Sequence, residues 1–425
     1  MSSELLALLN GREIGRVHRD KQGRLSFVYA PAWRQDPDAY PLSLSMPLAA
    51  AEHGRAAIEA FLWGLLPDNE AILEGWARRF HVSARNPLAL LSEVGEDCPG
   101  AVQFVRPERL DVCLTAEPEP IEWLDEHAVA ERLRALRADP SAWRLPSDTG
   151  QFSLAGAQPK TALLLDDGRW GVPSGRTPTT HILKPPGELA GQAENEHFCL
   201  VLARQLGLPT TSSTIRRFED QIAIVVERYD RQRTKDGILR VHQEDLCQAM
   251  GVSPTRKYEN EGGPGVTPII AFLRDSSTER EQDVSTFVDA LIFNWLVAGT
   301  DAHAKNFSLL IATGRVRLAP LYDLASILPY DLDFQKIKLA MKIGSDYKLR
   351  DIGQREWRQL AEKNRLDPDQ LLDRIREFAA RIPDEAAVVR DRMRDEGLHH
   401  GVIDRLCDRL SKRAAESKQI MELRP

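Results

Sequence analysis

The stretch from residue 283 to residue 326 constrains the fold of this chain more than any other part of the sequence. Apolar residues at helical spacing predict a buried helix over 284–298, and Gly299 is a typical residue just past a helix end. A polar loop at 300–306 comes next, and residues 307–318 predict a short β-hairpin around a Thr-Gly turn. The chain therefore has to fold a helix, a loop and a hairpin in immediate succession.

Three polar residues occupy the loops of this stretch. Asp301 lies five positions before Asn306, and Asp323 follows the hairpin. Protein kinases arrange an Asp, an Asn five positions later and a second Asp beyond a hairpin around the transferred phosphate. In that arrangement Asp301 orients the acceptor hydroxyl and accepts its proton, and Asn306 and Asp323 bind Mg²⁺ through oxygen atoms. The pattern therefore predicts phosphoryl transfer from ATP.

Length and composition exclude several other classes of protein. The chain has 425 residues, enough for two or three domains, and its net charge of −7 gives no reason to expect nucleic-acid binding by this chain alone. Its five cysteines include no Cys-x-x-Cys pair, which argues against a disulfide framework or a zinc ribbon and suits a reducing compartment. Neither a signal peptide nor an apolar run of about 20 residues is present, so we expect a cytoplasmic protein without a membrane span.

The segment 151–161 predicts a loop that approaches a phosphate. Small residues there allow close backbone approach, and Lys160 supplies positive charge, although the spacing is not that of a Walker loop and a plain turn explains the segment as well. The following strand, 181–184, ends in Lys184, our predicted phosphate-binding lysine. A helix over 193–206 then carries its partner acid, either Glu194 or, as we prefer, Glu196.

Two strands over 213–226 end in Glu227-Arg228-Tyr229, whose backbone groups we predict to contact adenine. The order of phosphate loop, strand lysine, helix acid, two strands and connector is that of a kinase small lobe. We predict an α+β, two-lobed, protein-kinase-like fold. Its parts are an accessory subdomain at 1–109, a small lobe at 110–240 and a mostly helical large lobe at 241–425. The proline- and charge-rich segment 118–146 has one helix (127–138) and is interpreted as a connection rather than core.

Within the catalytic loop, His303 and Lys305 admit two interpretations each. His303 beside Asp301 suggests zinc, but a lone Asp-x-His favours a histidine that orders the loop. Lys305 either steadies the charge of the γ-phosphate or is merely solvated, and we favour the first.

Eight segments carry a resemblance to a known family. They are FSLAGAQPKT at 152–161, HILKP at 181–185, ERYDR at 227–231, HQED at 242–245, RKYE at 256–259, GGPG at 262–265, TDAHAKNFS at 300–308 and YDLAS at 322–326, and KLAMKIG at 338–344 extends the match. In these segments the sequence closely resembles the HipA family of bacterial serine/threonine-protein kinase toxins. The N-terminal region resembles that family's amino-terminal subdomain less specifically.

The resemblance implies several properties beyond the fold. Asp301 would be the proton acceptor and Ser153 the autophosphorylated serine of the loop, and Pro159 stands where the family often has an acidic residue. The family's partners are a HipB-type antitoxin, operator DNA bound with that antitoxin to repress the operon, and a substrate such as glutamyl-tRNA synthetase or a similar translation factor, whose phosphorylation arrests growth and promotes persistence. The implied ATP-binding residues are Ala155, Gly156, Ala157, Gln158, Pro159, Lys160, Lys184, Glu227, Arg228, Tyr229, His303, Ala304, Lys305, Asn306, Tyr322 and Asp323.

Two functions from other classes remain open at this point. One is a kinase-like scaffold that binds antitoxin and DNA without turning over ATP. The other is a metal-dependent phosphohydrolase that uses Asp301, His303 and Asp323.

Overall fold

The structure is a computed structural model, and it describes residues 4–114, 121–145, 151–235 and 237–422. The chain divides into two compact units. Unit 1 is formed by Met1–Pro185, Arg216–Thr255 and Leu309–Val316, and unit 2 is formed by Pro186–Ile215, Arg256–Ser308 and Arg317–Pro425.

Strands are concentrated in the first 240 residues, as predicted. They are β1 (Glu4–Leu9), β2 (Arg12–Arg19), β3 (Leu25–Tyr29), β4 (Glu52–His53), β5 (Val102–Val105), β6 (Glu122–Leu124), β7 (Thr161–Asp166), β8 (Arg169–Val172), β9 (His181–Lys184), β10 (Ser213–Phe218), β11 (Gln221–Glu227), β12 (Arg231–Thr234), β13 (Gly237–Arg240), β14 (His242–Asp245), β15 (Ser308–Ala312), β16 (Arg315–Leu318), β17 (Lys338–Ile343) and β18 (Asp346–Lys348).

Two sheets dominate these strands. The first has the order β4-β3-β2-β1-β5 and the second the order β10-β11-β9-β7-β8-β6. The hairpin between β1 and β2 turns at Asn10 and Gly11, both with positive φ, as a two-residue turn that follows the twist of the strands requires. A large apolar core in unit 1 includes the inward residues of β1, β2 and β3, such as Leu5, Val17 and Phe27.

Helices fill most of unit 2. The helices of the described residues are α1 (Pro31–Arg34), α2 (Arg55–Gly64), α3 (Glu70–Phe80), α4 (Pro87–Val94), α5 (Leu110–Leu114), α6 (Glu126–Ala138), α7 (Gln192–Gln205), α8 (Leu246–Ala249), α9 (Val266–Ser276), α10 (Arg280–Val297), α11 (Gln354–Lys363), α12 (Pro368–Asp395) and α13 (Gly401–Glu422). The buried helix that the sequence predicts before the catalytic loop is α10.

The interpretation of 118–146 as a mere connection was wrong for α6. Its residues Val129, Ala130 and Leu133 are fully buried and belong to one apolar cluster with residues of β7, β8, β9 and β11. Burying an apolar helix face against an uncovered sheet face contributes about 25 cal/mol of stability per Å² of apolar surface removed from water. This contribution does not depend on the composition of the segments that flank the helix. Residues 118–120 and 146 lie outside the described residues.

The sequence also predicts a helix that begins at 242, separate helices over 369–381 and 384–396, and a loose tail from 418, and these three boundaries were wrong. Residues 242–245 form strand β14, because Asp245 caps α8 through Gln248 and so ends the strand there. The two helices predicted around Pro383 are one, α12, whose buried positions continue at helical spacing from Phe378 through Ile382 to Ala386. This packing outweighs the roughly 3 kcal/mol that an interior proline costs. The tail predicted as loose from 418 continues α13 to Glu422.

Candidate active site

The predicted phosphate loop is anchored inside unit 1. Ser153 is fully buried, its hydroxyl donates to the carbonyl of Leu65 at 2.6 Å, and its amide donates to the carbonyl of Asp97 at 3.0 Å. The amide of Asp68 donates to the carbonyl of Gly156 at 3.2 Å. The loop is thus held by hydrogen bonds to the N-terminal subdomain and by Phe152 and Leu154, which belong to the apolar core of unit 1.

Lys160 folds back over this loop. Its Nζ donates to the carbonyl of Ala155 at 2.7 Å, and a Cβ on Gly156, whose φ is +103°, would collide with that same nitrogen. The left-handed φ favours glycine at this position, and a Cβ there would push the ammonium group away from its present position. The neighbouring Ala157 is exposed, Gln158 and Pro159 are half-buried, and the Gln158 amide lies 3.5 Å from the carbonyl of Pro185.

Lys184 ends β9 as predicted, where it is 7% exposed and opposite Ile224 of β11. A buried lysine at the end of a central strand needs an anionic partner. Its predicted partner, Glu196, lies on α7 in unit 2 and is 4% exposed, and the alternative Glu194 is 7% exposed. Burial does not separate the two acids, so the pairing with Lys184 stays a prediction.

The connector after β11 differs from its predicted role at Arg228. The amide of Arg228 donates to the carbonyl of Thr180 at 2.9 Å, and its guanidinium is buried against Asp230 and the carbonyl of Cys98. Glu227 is exposed at the end of β11, and the hydroxyl of the half-buried Tyr229 donates to Gln243. The backbone amide and the side chain of Arg228 therefore act inside unit 1.

In unit 2, the loop after α10 is organised around the backbone of Asp301. The amide of His303 donates to the Asp301 carbonyl at 2.8 Å, and the side-chain Nδ2 of Asn306 donates to the same oxygen at 2.7 Å. The Asp301 carboxylate is 64% exposed, with its Oδ1 3.8 Å from Nε2 of His303. The five-residue spacing thus brings the Asn306 amide onto the peptide group of Asp301.

The second acid is linked to this loop through Tyr322. The Tyr322 hydroxyl donates to the carbonyl of Lys305 at 2.9 Å, and it lies 2.7 Å from the Ser308 hydroxyl. Asp323 follows with φ +58°, a left-handed conformation that aspartate tolerates better than most residues. Lys305 is 5% exposed, Ala304 is fully buried and His303 is 2% exposed, so these three residues are packed, whereas the Asp301 carboxylate of the same loop is exposed.

The donor set fits magnesium better than zinc. Nδ2 of Asn306 is engaged with Asp301, which orients its amide oxygen away from that bond, and Asp323 contributes a carboxylate. Magnesium takes one or two such oxygens and completes its shell with phosphates and water. Among the described residues, no group of three or more His, Cys, Asp or Glu side chains is arranged to hold a metal ion.

Sequence reasoning assigned no role to three residues that contact the predicted site. Tyr258 donates its hydroxyl to Oδ1 of Asp301 at 2.5 Å. Asn195 of α7 donates to the carbonyl of Ser326 at 2.7 Å and accepts from the Ser326 amide at 3.1 Å, three residues after Asp323. Asp97 holds the Ser153 amide. Tyr258 lay in one of the segments that carry the family resemblance, which was the available signal.

Two family models match the sequence. The HipA-like C-terminal domain matches residues 152–386, and the HipA N-terminal domain matches residues 5–105. The first match alone covers more than half of the chain.

Individual relatives agree with the family models. The chain is 39% identical to Y4mE of Sinorhizobium fredii, provisionally named a kinase, over 83% of this chain and 84% of that protein. It is 30% identical to the serine/threonine-protein kinase toxin HipA of Shewanella oneidensis, over 85% of this chain and 83% of the toxin. Among solved structures, the complex of Shewanella oneidensis HipA with HipB and its operator DNA matches 99% of this chain and 100% of its own, with a TM-score of 0.83 and 25% identity.

These findings define the fold and the family of the chain. It has the α+β, two-lobed, kinase-like fold, with a β-rich N-terminal lobe and a mostly helical C-terminal lobe. It belongs to the HipA family. Among the residues that the structure describes, no helix combines the length and apolarity that crossing a bilayer requires.

Proposed function

We propose that this chain is a serine/threonine-protein kinase toxin that transfers the γ-phosphate of ATP to a protein hydroxyl. The observation that carries the proposal is the loop around Asp301, whose backbone is held by His303 and Asn306 while its carboxylate stays 64% exposed. An exposed carboxylate on a fixed backbone suits a group that must reach an incoming hydroxyl.

In the proposed reaction, the acceptor oxygen forms a bond to the γ-phosphorus as the bond between that phosphorus and the bridging oxygen of ADP breaks. The acceptor proton passes to the carboxylate of Asp301. Lys184 and Lys160 offset the charge of the nucleotide phosphates, and the packed Lys305 adds positive charge beside the catalytic loop. The remaining loop residues, from Ala155 to Pro159, approach the phosphates through their backbone.

Asn306 and Asp323 are the proposed ligands of Mg²⁺, which when bound neutralises phosphate charge. Asn306 serves the catalytic loop as well, because its other amide atom holds the Asp301 carbonyl. Glu196 is our proposed partner of Lys184. For Arg228 we propose a structural role in place of the adenine contact, which we assign to the backbone of Glu227 and Tyr229.

Ser153 is the proposed autophosphorylation site. Its hydroxyl is buried and donates to the Leu65 carbonyl, so the loop must leave this position before a phosphoryl group is added. A phosphoserine carries a charge near −2 and cannot return to a buried carbonyl without a large desolvation cost. Autophosphorylation would therefore hold the loop away from its anchored position and switch the kinase off.

The family suggests partners for the chain. We propose that a HipB-type antitoxin neutralises it, that the pair binds operator DNA and co-represses its operon, and that the antitoxin supplies the positive charge this chain lacks. The proposed substrate is glutamyl-tRNA synthetase or a similar translation factor, which places the activity in the cytoplasm and links it to growth arrest and persistence. The three-part division at 109 and 240 remains part of this proposal.

The test is transfer of radiolabel from γ-labelled ATP by the purified chain in the presence of Mg²⁺. Asp301→Gln should abolish transfer without changing the circular dichroism spectrum, whereas Asp331→Asn, an exposed surface acid, should leave transfer unchanged. Ser153→Ala should remove the phosphopeptide that spans 151–160. Full transfer by the Asp301 variant, or hydrolysis of phosphoesters without ATP, contradicts the proposed function.

A further inference from the structure

The loop at 256–265 carries a residue that touches the catalytic carboxylate but has no part in the proposed function. Tyr258 lies between two short 3-10 turns, Pro254–Arg256 and Glu259–Glu261, and its hydroxyl donates to Oδ1 of Asp301 at 2.5 Å. This separation is typical of an O–H donor on an ionised carboxylate, which is among the stronger protein hydrogen bonds. The contact joins positions 43 residues apart in the sequence.

The surrounding unit holds the Tyr258 ring in place. The ring packs edge-on against the buried His303, with centroids 4.8 Å apart and planes at 84°. The next residue, Glu259, accepts a hydrogen bond at 2.7 Å from the amide of Lys342 on β17. The loop is therefore fixed at the tyrosine ring and at the residue that follows it.

Glycine at 263 is part of the same arrangement. The Gly263 amide donates to the carbonyl of Tyr258 at 2.9 Å. A Cβ at this position would collide with the carbonyl oxygen of Arg256 and lie 2.8 Å from that of Tyr258. Any larger residue at 263 therefore has to displace the segment that carries the tyrosine.

The hydrogen bonds of Asp301 engage its backbone carbonyl oxygen and one oxygen of its carboxylate. Its carbonyl is held by His303 and Asn306, and its Oδ1 is held by Tyr258. Among the described residues, none donates a hydrogen bond to Oδ2. A largely exposed aspartate would otherwise sample several rotamers, and each rotamer would aim the carboxylate differently.

We propose that Tyr258 is a positioning residue for phosphoryl transfer. Its hydroxyl fixes Oδ1 of Asp301 so that Oδ2 faces the acceptor and takes the acceptor proton, while Tyr258 keeps its own proton throughout. This inference rests on the proposed function, because it assigns Asp301 as the proton acceptor. A rival possibility is that Tyr258 occupies the place of the acceptor hydroxyl and so inhibits the enzyme, and that possibility predicts the opposite change in rate.

The experiment compares kcat and KM of Tyr258→Phe and the unaltered chain with labelled ATP and a protein substrate. The phenylalanine ring keeps the packing on His303 and removes only the hydroxyl. We expect kcat to fall about tenfold, less than the roughly hundredfold loss that misplacing a reacting group by about 1 Å can cause, while KM for ATP and for protein and the melting temperature stay unchanged. The matched control is Tyr347→Phe, a half-buried tyrosine stacked by Lys342, which should keep full activity.

A second variant reaches the same contact through the backbone. Gly263→Ala should shift the loop and reproduce the loss in kcat with the tyrosine itself intact. Combined with Tyr258→Phe it should cause little further loss, because both changes remove one hydrogen bond. Wild-type kcat in both single variants overturns the inference, as does a higher kcat or a change confined to KM.

The failure of this inference can be distinguished from failure of the proposed function. If Asp301→Gln abolishes transfer and Tyr258→Phe leaves kcat unchanged, only the positioning role is lost. If Asp301→Gln retains transfer, the proposed function itself fails.

Discussion

Replacing Asp97 by asparagine tests the buried charge cluster that anchors the phosphate loop and the connector in unit 1. Oδ1 of Asp97 accepts from Arg231 at 2.8 Å and from Arg240 at 3.3 Å. Its Oδ2 accepts from the hydroxyl of Thr179 at 2.7 Å and lies 3.5 Å from Arg228. Burial alone would raise the pKa of Asp97, but these guanidiniums hold it well below its ordinary value.

The size of the effect follows from the charge balance of the cluster. Three arginines, at 228, 231 and 240, share two aspartates, Asp97 and Asp230, and all five side chains are almost completely buried. Asp97→Asn leaves three cations against one anion and turns amide hydrogens toward arginine donors. Removing one partner of a buried ion pair costs about 3–5 kcal/mol, which is a large part of a typical free energy of unfolding of about 5–15 kcal/mol.

The assay is urea unfolding at pH 7.5, followed by circular dichroism and tryptophan fluorescence. The control, Asp166→Asn, removes an acid of unit 1 whose side chain is 39% exposed beside Arg233, and it should change the free energy of unfolding by less than about 1 kcal/mol. Adding Arg240→Gln to Asp97→Asn should reduce the excess charge, so the double variant should lose less than the sum of the single losses.

The pH dependence adds a check of sign. A carboxyl with a depressed folded pKa contributes stability above its unfolded pKa, about 3.9, and that contribution is lost as pH falls through the folded value. The difference between Asp97→Asn and the unaltered chain should therefore be constant above about pH 5 and shrink only in strong acid. An unchanged unfolding midpoint, or additive losses in the double variant, refutes the reasoning.

Three further predictions concern single side chains. Burial raises the pKa of Glu244 to about 8 from an unfolded value near 4.5, so between these pH values the folded state keeps a proton that the unfolded state releases, and stability falls as pH rises. Glu244→Gln should flatten this decline in melting temperature with pH. An equally steep decline in the variant contradicts the prediction. Leu133→Ala on α6 should lower the free energy of unfolding, measured by urea titration, by about 2–5 kcal/mol, because Leu133 is fully buried. If α6 were only a connecting segment, the free energy of unfolding would hardly change. Asn195→Ala, which releases Ser326, should raise the Mg²⁺ concentration for half-maximal transfer about tenfold, and an unchanged requirement refutes a role in holding the metal loop.

The sequence predicts most local structure because local structure depends on neighbouring residues. Strand β9 begins and ends at the predicted residues, 181 and 184, and β10 begins at the predicted residue 213, since alternation and turn residues lie within a few positions of one another. The helix at 126–138 was predicted within one residue, yet its packing on the strands was missed. The composition of the segments around a helix indicates whether those segments are solvated. It does not reveal which face of a sheet the helix covers.

The candidate site likewise contains residues that sequence spacing relates to one another and residues that it does not. The spacing of Asp301 and Asn306 predicted that they share a loop, and in the structure the Asn306 side chain hydrogen-bonds the Asp301 carbonyl. The roles of these residues stay predictions. Tyr258 could not be placed from spacing, because nothing within ten residues of it is part of the catalytic loop.

Asp97 and Tyr258, which sequence spacing did not relate to the site, share a physical property that explains why they were missed. Asp97 accepts from Ser153 through its carbonyl and holds three arginines through its carboxylate, and Tyr258 fixes one oxygen of Asp301. Each acts by restricting another residue across more than 40 positions, and its own side chain need not touch a substrate. Changes at such positions should therefore alter kcat or stability while leaving nucleotide affinity intact, which separates them in measurement from residues that bind the phosphates directly.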